Sequence, residues 1–149
     1  MSGGQTEVMP AMVGQWRLEK RDPNFGSFLA CRQVGWLMRQ LMTSTAAGVE
    51  YTLEKDTFTK LTTTLGGRTS RYPMPTRGDF TPEKTLSGRP ETGRLYEDGR
   101  GSMVQEMTFA DTGETAAVLN HSVQQDGKLV VEMKCKDIVC TAVYTKHSV

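Results

Sequence analysis

Asp126-Gly127-Lys128-Leu129-Val130-Val131-Glu132-Met133-Lys134-Cys135-Lys136-Asp137-Ile138-Val139-Cys140-Thr141-Ala142-Val143-Tyr144 reads as a turn, a strand, a two-residue turn and a second strand. Leu129, Val131, Met133 and Cys135 fall on one face of the first strand, and Val130, Glu132, Lys134 and Lys136 on the other. In the second, Cys140, Ala142 and Tyr144 alternate with Val139, Thr141 and Val143, and Lys136-Asp137 suits a tight hairpin. The pair presents small and apolar groups to one side, with a single phenol near the chain end.

Upstream, Val13-Gly14-Gln15-Trp16-Arg17-Leu18-Glu19 alternates in the same way and predicts a first strand. Residues 1–12 are small and polar with scattered methionines, and predict a partly ordered lead-in to a single domain spanning 13–149. Asp22 and Asn24 are both candidate helix caps. From there the period becomes helical, with Phe25, Phe28 and Leu29, then Val34, Leu37, Met38 and Leu41. Gly35 breaks the run, so the pattern predicts two short helices over about 25–32 and 34–43.

Everything afterwards is strand-like, punctuated by Gly, Pro and Asp-Gly. The runs are Val49–Glu54, Thr57–Leu65, Thr69–Met74, Lys84–Gly88, Glu91–Tyr96, Met103–Phe109, Thr115–Val123, Lys128–Cys135 and Val139–Lys146. With the opening strand these make ten. The pattern predicts an all-β fold, a ten-stranded antiparallel up-and-down β-barrel capped by a helix-turn-helix after the first strand. A packed β-sandwich built from the same strands is the competing reading.

Several function classes fall away. A formal net charge of +1 gives no field for nucleic acid, and no run approaches the length of a membrane helix. The start of the chain lacks the charged-then-apolar pattern of a secretory signal, which points to a cytoplasmic protein. Cys31, Cys135 and Cys140 lack metal-ligand spacing, although Cys135 and Cys140 could face one another across the hairpin. His121 and His147 are the only histidines, and no nucleophile, metalloprotease or phosphate-loop motif occurs. The expectation is a non-enzyme without a cofactor or metal.

Gly14-Gln15-Trp16-Arg17-Leu18, then Asn24-Phe25, Val34-Gly35-Trp36-Leu37-Met38-Arg39-Gln40 and Gly78-Asp79-Phe80-Thr81 stand in a fixed order. Together with Leu86-Ser87-Gly88-Arg89 and the closing hairpin, they resemble the intracellular fatty-acid-binding protein family across nearly the whole chain. Secreted lipocalins also carry Gly-x-Trp on a first strand, but two helices after that strand and a final strand favour the intracellular class. The resemblance implies a cytosolic carrier that reversibly binds a long-chain fatty acid or similar apolar molecule in the barrel cavity. A barrel without lipid cargo, serving as a structural or protein-interaction module, is the alternative.

Members of the family often hold the ligand carboxylate with two arginines and a tyrosine. The resemblance places Tyr144 at the tyrosine, Ala142 at one arginine and Leu119 or Asn120 near the other, so neither arginine is present. Losing charge-assisted hydrogen bonds of about 1.5–3 kcal/mol each disfavours a deep anion. Gln105, Asn120, His121 and Tyr144 are the candidate polar partners. Met107 and Met133 are candidate lining residues, while Phe25, Leu29, Val34, Met38 and Leu65 are expected around a portal. Arg32 and Arg39 on the helices, with Lys55 and Lys60 nearby, are expected as solvated bases. Transient membrane contact through the cap is weighed beside that bland reading, and the protein is expected to be a monomer.

Overall fold

Period-two alternation broken by short turns makes this chain a meander of antiparallel neighbours. The computed structural model describes residues 8–44, 48–63 and 69–147. Helix α1 (Val8–Met12) leads into strand β1 (Gly14–Arg21), followed by helices α2 (Phe25–Cys31) and α3 (Trp36–Ser44). The remaining strands are β2 (Gly48–Glu54), β3 (Thr57–Thr63), β4 (Thr69–Pro75), β5 (Glu91–Glu97), β6 (Met103–Phe109), β7 (Thr115–Val123), β8 (Leu129–Cys135) and β9 (Ile138–Lys146). They form one sheet in the order β4-β3-β2-β1-β9-β8-β7-β6-β5. Pairing of β1 with β9 curls the meander into a nearly closed barrel, whose seam lies between β4 and β5.

Among the described residues nine strands stand where ten were expected, because Lys84–Gly88 is a turn rather than a strand. The Thr85 hydroxyl donates to the Arg89 carbonyl at 2.7 Å, and the Ser87 hydroxyl accepts the Arg89 N–H at 3.1 Å. Gly88 adopts φ 76°, a conformation that suits glycine and ends an extended run. Across the seam, Phe80 and Gly93 exchange two backbone hydrogen bonds of 2.9 and 2.7 Å. Glycine is needed at 93, since a Cβ there would lie within 3.0 Å of the Phe80 ring and the Met107 sulfur.

The closing hairpin follows its sequence pattern. Cys135 pairs with Ile138 around Lys136-Asp137, and Lys136 takes the positive φ of 52° that such a turn needs. Leu129, Val131, Met133, Cys135, Cys140 and Ala142 are all buried. The cap sits over one end of this hairpin. The Asn24 side-chain N–H donates to the Val139 carbonyl at 2.7 Å, and the Thr141 N–H donates to the Asp22 carboxylate at 2.9 Å. Both candidate caps therefore spend their side chains on β9, and Asn24 makes no side-chain cap to α2. A disulfide joins Cys31, the last residue of α2, to Cys135 with Cα atoms 6.1 Å apart. The bridge considered between Cys135 and Cys140 is not formed, and Cys140 is a buried free thiol.

Within the expected lead-in, α1 buries Val8, Met9 and Met12 against the barrel. Trp16 Nε1–H donates to the Met12 carbonyl at 2.8 Å, which fixes this short helix to β1. Burial of such large side chains contributes about 1.5–3 kcal/mol each.

Candidate functional site

Strand register decides which side chains see the barrel interior. Opposed residues in an antiparallel pair share a face, so the pairs Leu129 with Tyr144 and Val131 with Ala142 extend inward to Leu119, His121 and Val123 on β7. From there the face continues to Met103, Gln105 and Met107, and then to Gly93, Leu95 and Glu97. On the other wall Val49, Tyr51 and Leu53 face Thr62, Lys60 and Phe58, and the last two face Tyr72 and Met74. Tyr51 stacks on Phe58 at 5.2 Å and meets the edge of His121 at 6.4 Å, so the two walls touch through these rings.

The interior is apolar with a few strongly perturbed polar groups. Burial, and then the neighbouring Lys60 charge, push the His121 imidazole down to about 3. Its Nδ1 lies 3.2 Å from the Met103 carbonyl, an acceptor only, so Nδ1 carries the proton and the neutral ring leaves Nε2 as an acceptor. Burial, and then the Arg32 charge, lower the Lys60 ammonium to about 8. Burial also raises the Tyr51 and Tyr144 phenols, which stay protonated donors. Arg32 is spent on Glu91 through two contacts of 3.1 and 3.2 Å, and the Ser87 hydroxyl donates to the same carboxylate at 2.6 Å.

Arg32 and Lys60, expected as solvated bases, both turn inward instead. Arg32 is 6 % exposed because it caps α2 and turns onto Glu91 at the head of β5. Lys60 follows the alternation set by Phe58 and points inward. A further correction concerns β7, where Leu119 and His121 face inward and Asn120 lies on the outer face opposite Glu132. A fourth interior-side base, Arg21, comes from a register shift between Leu18 and Lys20, which sets Arg21 opposite Ala142. Its guanidinium lies 3.8 Å above the Phe25 ring and donates to the Met42 carbonyl at 3.4 Å. There it lines a cleft of about 260 Å³ with Leu18, Phe25, Gly26 and Thr43.

The other expected residues divide into groups. Tyr144, Leu119 and Gln105 are half-buried on the interior face, while Ala142 and Met133 are buried there. Met107 packs with Phe109, Ala116 and Phe80 in a small cluster beside the seam. Phe25, Leu29 and Val34 are buried in the main core, which is helix-to-barrel packing. Met38 is 46 % exposed on α3, beside Trp36 at 64 % and Leu37 at 77 %. Leu65 lies outside the described residues. Among the described residues no group of three or more His, Cys, Asp or Glu could hold a metal ion, and no helix is long and apolar enough to cross a membrane.

A lidded antiparallel meander around such an interior is the architecture of the calycins. The sequence is 30 % identical over 142 residues to mouse (Mus musculus) cellular retinoic acid-binding protein 2, covering 93 % of this chain and all of that protein. Among solved structures it is similar to the REP1-NXSQ fatty acid transporter, with TM-score 0.78, 25 % identity and coverage of 94 % and 98 %. It also resembles the fatty-acid-binding protein of Drosophila melanogaster brain tissue, with TM-score 0.75, 27 % identity and coverage of 90 % and 98 %. No protein-family model matches. The chain belongs to the intracellular lipid-binding protein family.

Proposed function

We propose that this protein is a cytosolic, monomeric carrier that reversibly holds a long-chain fatty acid or similar lipid inside the barrel. The observation that carries the reading is the interior face itself, where apolar strand positions alternate with solvated outer ones around a short run of polar groups. Tail burial contributes about 0.8 kcal/mol per methylene, so a chain of some twelve methylenes offsets the cost of association without help from its head group. Organic extraction of the purified protein followed by mass spectrometry is expected to recover lipid, and a fluorescent fatty-acid probe is expected to be displaced by oleate. No recovered lipid together with no displacement would leave a barrel without lipid cargo, a structural or protein-interaction module.

The exposed Trp36, Leu37 and Met38 give the carrier a way to touch membranes as it loads and unloads. An aromatic and two long aliphatic groups on one short helix suit shallow insertion between head groups. Replacing Trp36 and Leu37 by serine is expected to slow probe transfer to anionic vesicles about five-fold, with equilibrium affinity unchanged. Equal transfer rates would place unloading in free solution.

A further inference from the structure

We infer that the Lys60 ammonium is the seat for the lipid carboxylate, taking the part that arginines at Ala142 and on β7 would otherwise play. The inference rests on the carrier reading and adds the chemical class of head group, an anion.

Four observations lead to it. Lys60 faces inward between Tyr51 on β2 and Tyr72 on β4. Its side chain is mostly covered but keeps some accessible surface, and burial is the main cause of its lowered value. Among the described residues no carboxylate lies within ion-pair distance of it, and the charge that perturbs it is another cation, Arg32. A buried ammonium without a counter-ion is costly, and a ligand that supplies one recovers that cost on binding.

Among the described residues, the other interior groups do not serve as the cation. His121 is neutral and presents a lone pair, which would repel a carboxylate unless a donor stood beside it. Arg32 is already held by Glu91 in an ion pair of two contacts. Arg21 stands at the cap, committed to the Phe25 ring and the Met42 carbonyl. The Tyr51 and Tyr144 phenols, held protonated by burial, are left to donate alongside the ammonium.

The test compares oleate with oleyl alcohol, each displacing the neutral dye Nile red from delipidated protein at pH 7. Wild type is expected to prefer the acid. Lys60→Met, of similar length but uncharged, is expected to weaken oleate about ten-fold or more while leaving the alcohol within about two-fold. Retained alcohol binding also reports that the variant is folded. Lys60→Arg, which keeps the charge, is expected to retain a preference for the acid. An unchanged acid-to-alcohol ratio in Lys60→Met overturns the assignment, as does loss of that ratio in Arg21→Met with Lys60 intact. Wild type binding neither ligand would remove the carrier reading together with the inference.

Discussion

Glu91→Ala is expected to lower unfolding stability by about 3–5 kcal/mol, read as a drop in the urea midpoint, because it leaves Arg32 buried without its partner. Both oxygens of Glu91 are engaged by Arg32, and the Ser87 hydroxyl adds a third bond of 2.6 Å. Neither residue can turn to water, since Arg32 is 6 % and Glu91 0 % exposed. The cost comes from the uncompensated charge rather than from the worth of the pair. A double replacement, Arg32→Met with Glu91→Leu, is therefore expected to recover most of the loss. Recovery would be absent if the damage came instead from disrupting the turn before β5. The pair also ties the end of α2 to the head of β5, so the single variant should release bound lipid faster than the double one.

The same pair shows where sequence reading reaches and where it stops. Alternation in the closing hairpin is strict, so one face of Leu129–Cys135 could be assigned inward and was found buried. The change to helical period after Asn24 likewise marked α2 and α3 to within about two residues, the usual uncertainty of helix ends. Lys60 was legible by that rule too. Phe58 and Lys60 are two apart, and an inward Phe58 carries Lys60 with it, yet the habit of lysine for solvent outweighed the period.

Other features leave no local signature. The slip between Leu18 and Lys20 that turns Arg21 toward Ala142 depends on how β1 meets β9, more than 120 residues away in sequence. Contact between Arg32 and Glu91, and between Cys31 and Cys135, is likewise created only when the cap closes on the barrel. Lys84–Gly88 misled for the opposite reason. Thr85 and Leu86 suit a strand, but Thr85 and Ser87 spend their hydroxyls on nearby backbone, which competes with a ladder.

Delipidated Lys60→Met is expected to be more stable than wild type at pH 7, by up to about 3 kcal/mol, which corresponds to the lowering of the ammonium from 10.5 to about 8. In the folded protein Lys60 gives up its proton near pH 8, whereas in the unfolded chain it does so near 10.5. Between those values the unfolded state holds the extra proton, so stability rises with pH. The cost of the buried charge is fully present below about pH 8 and is relieved by about pH 10.5, where the advantage of the variant disappears. Other groups change stability in this range. Folding raises the Tyr51, Tyr144 and Cys140 values, which lowers stability as their unfolded counterparts ionise. Tyr72, Arg32 with Glu91, and His121 complete the surroundings of Lys60, and all of these groups are common to both proteins. The difference between wild-type and Lys60→Met urea midpoints, followed from pH 7 to 10.5, therefore isolates the lysine. A difference that stays constant with pH would mean that Lys60 reaches water. Saturating oleate should narrow the gap at pH 7 from the wild-type side, by about 1.4 kcal/mol for each ten-fold difference in affinity, because a carboxylate beside Lys60 stabilises the charge that destabilises the empty barrel.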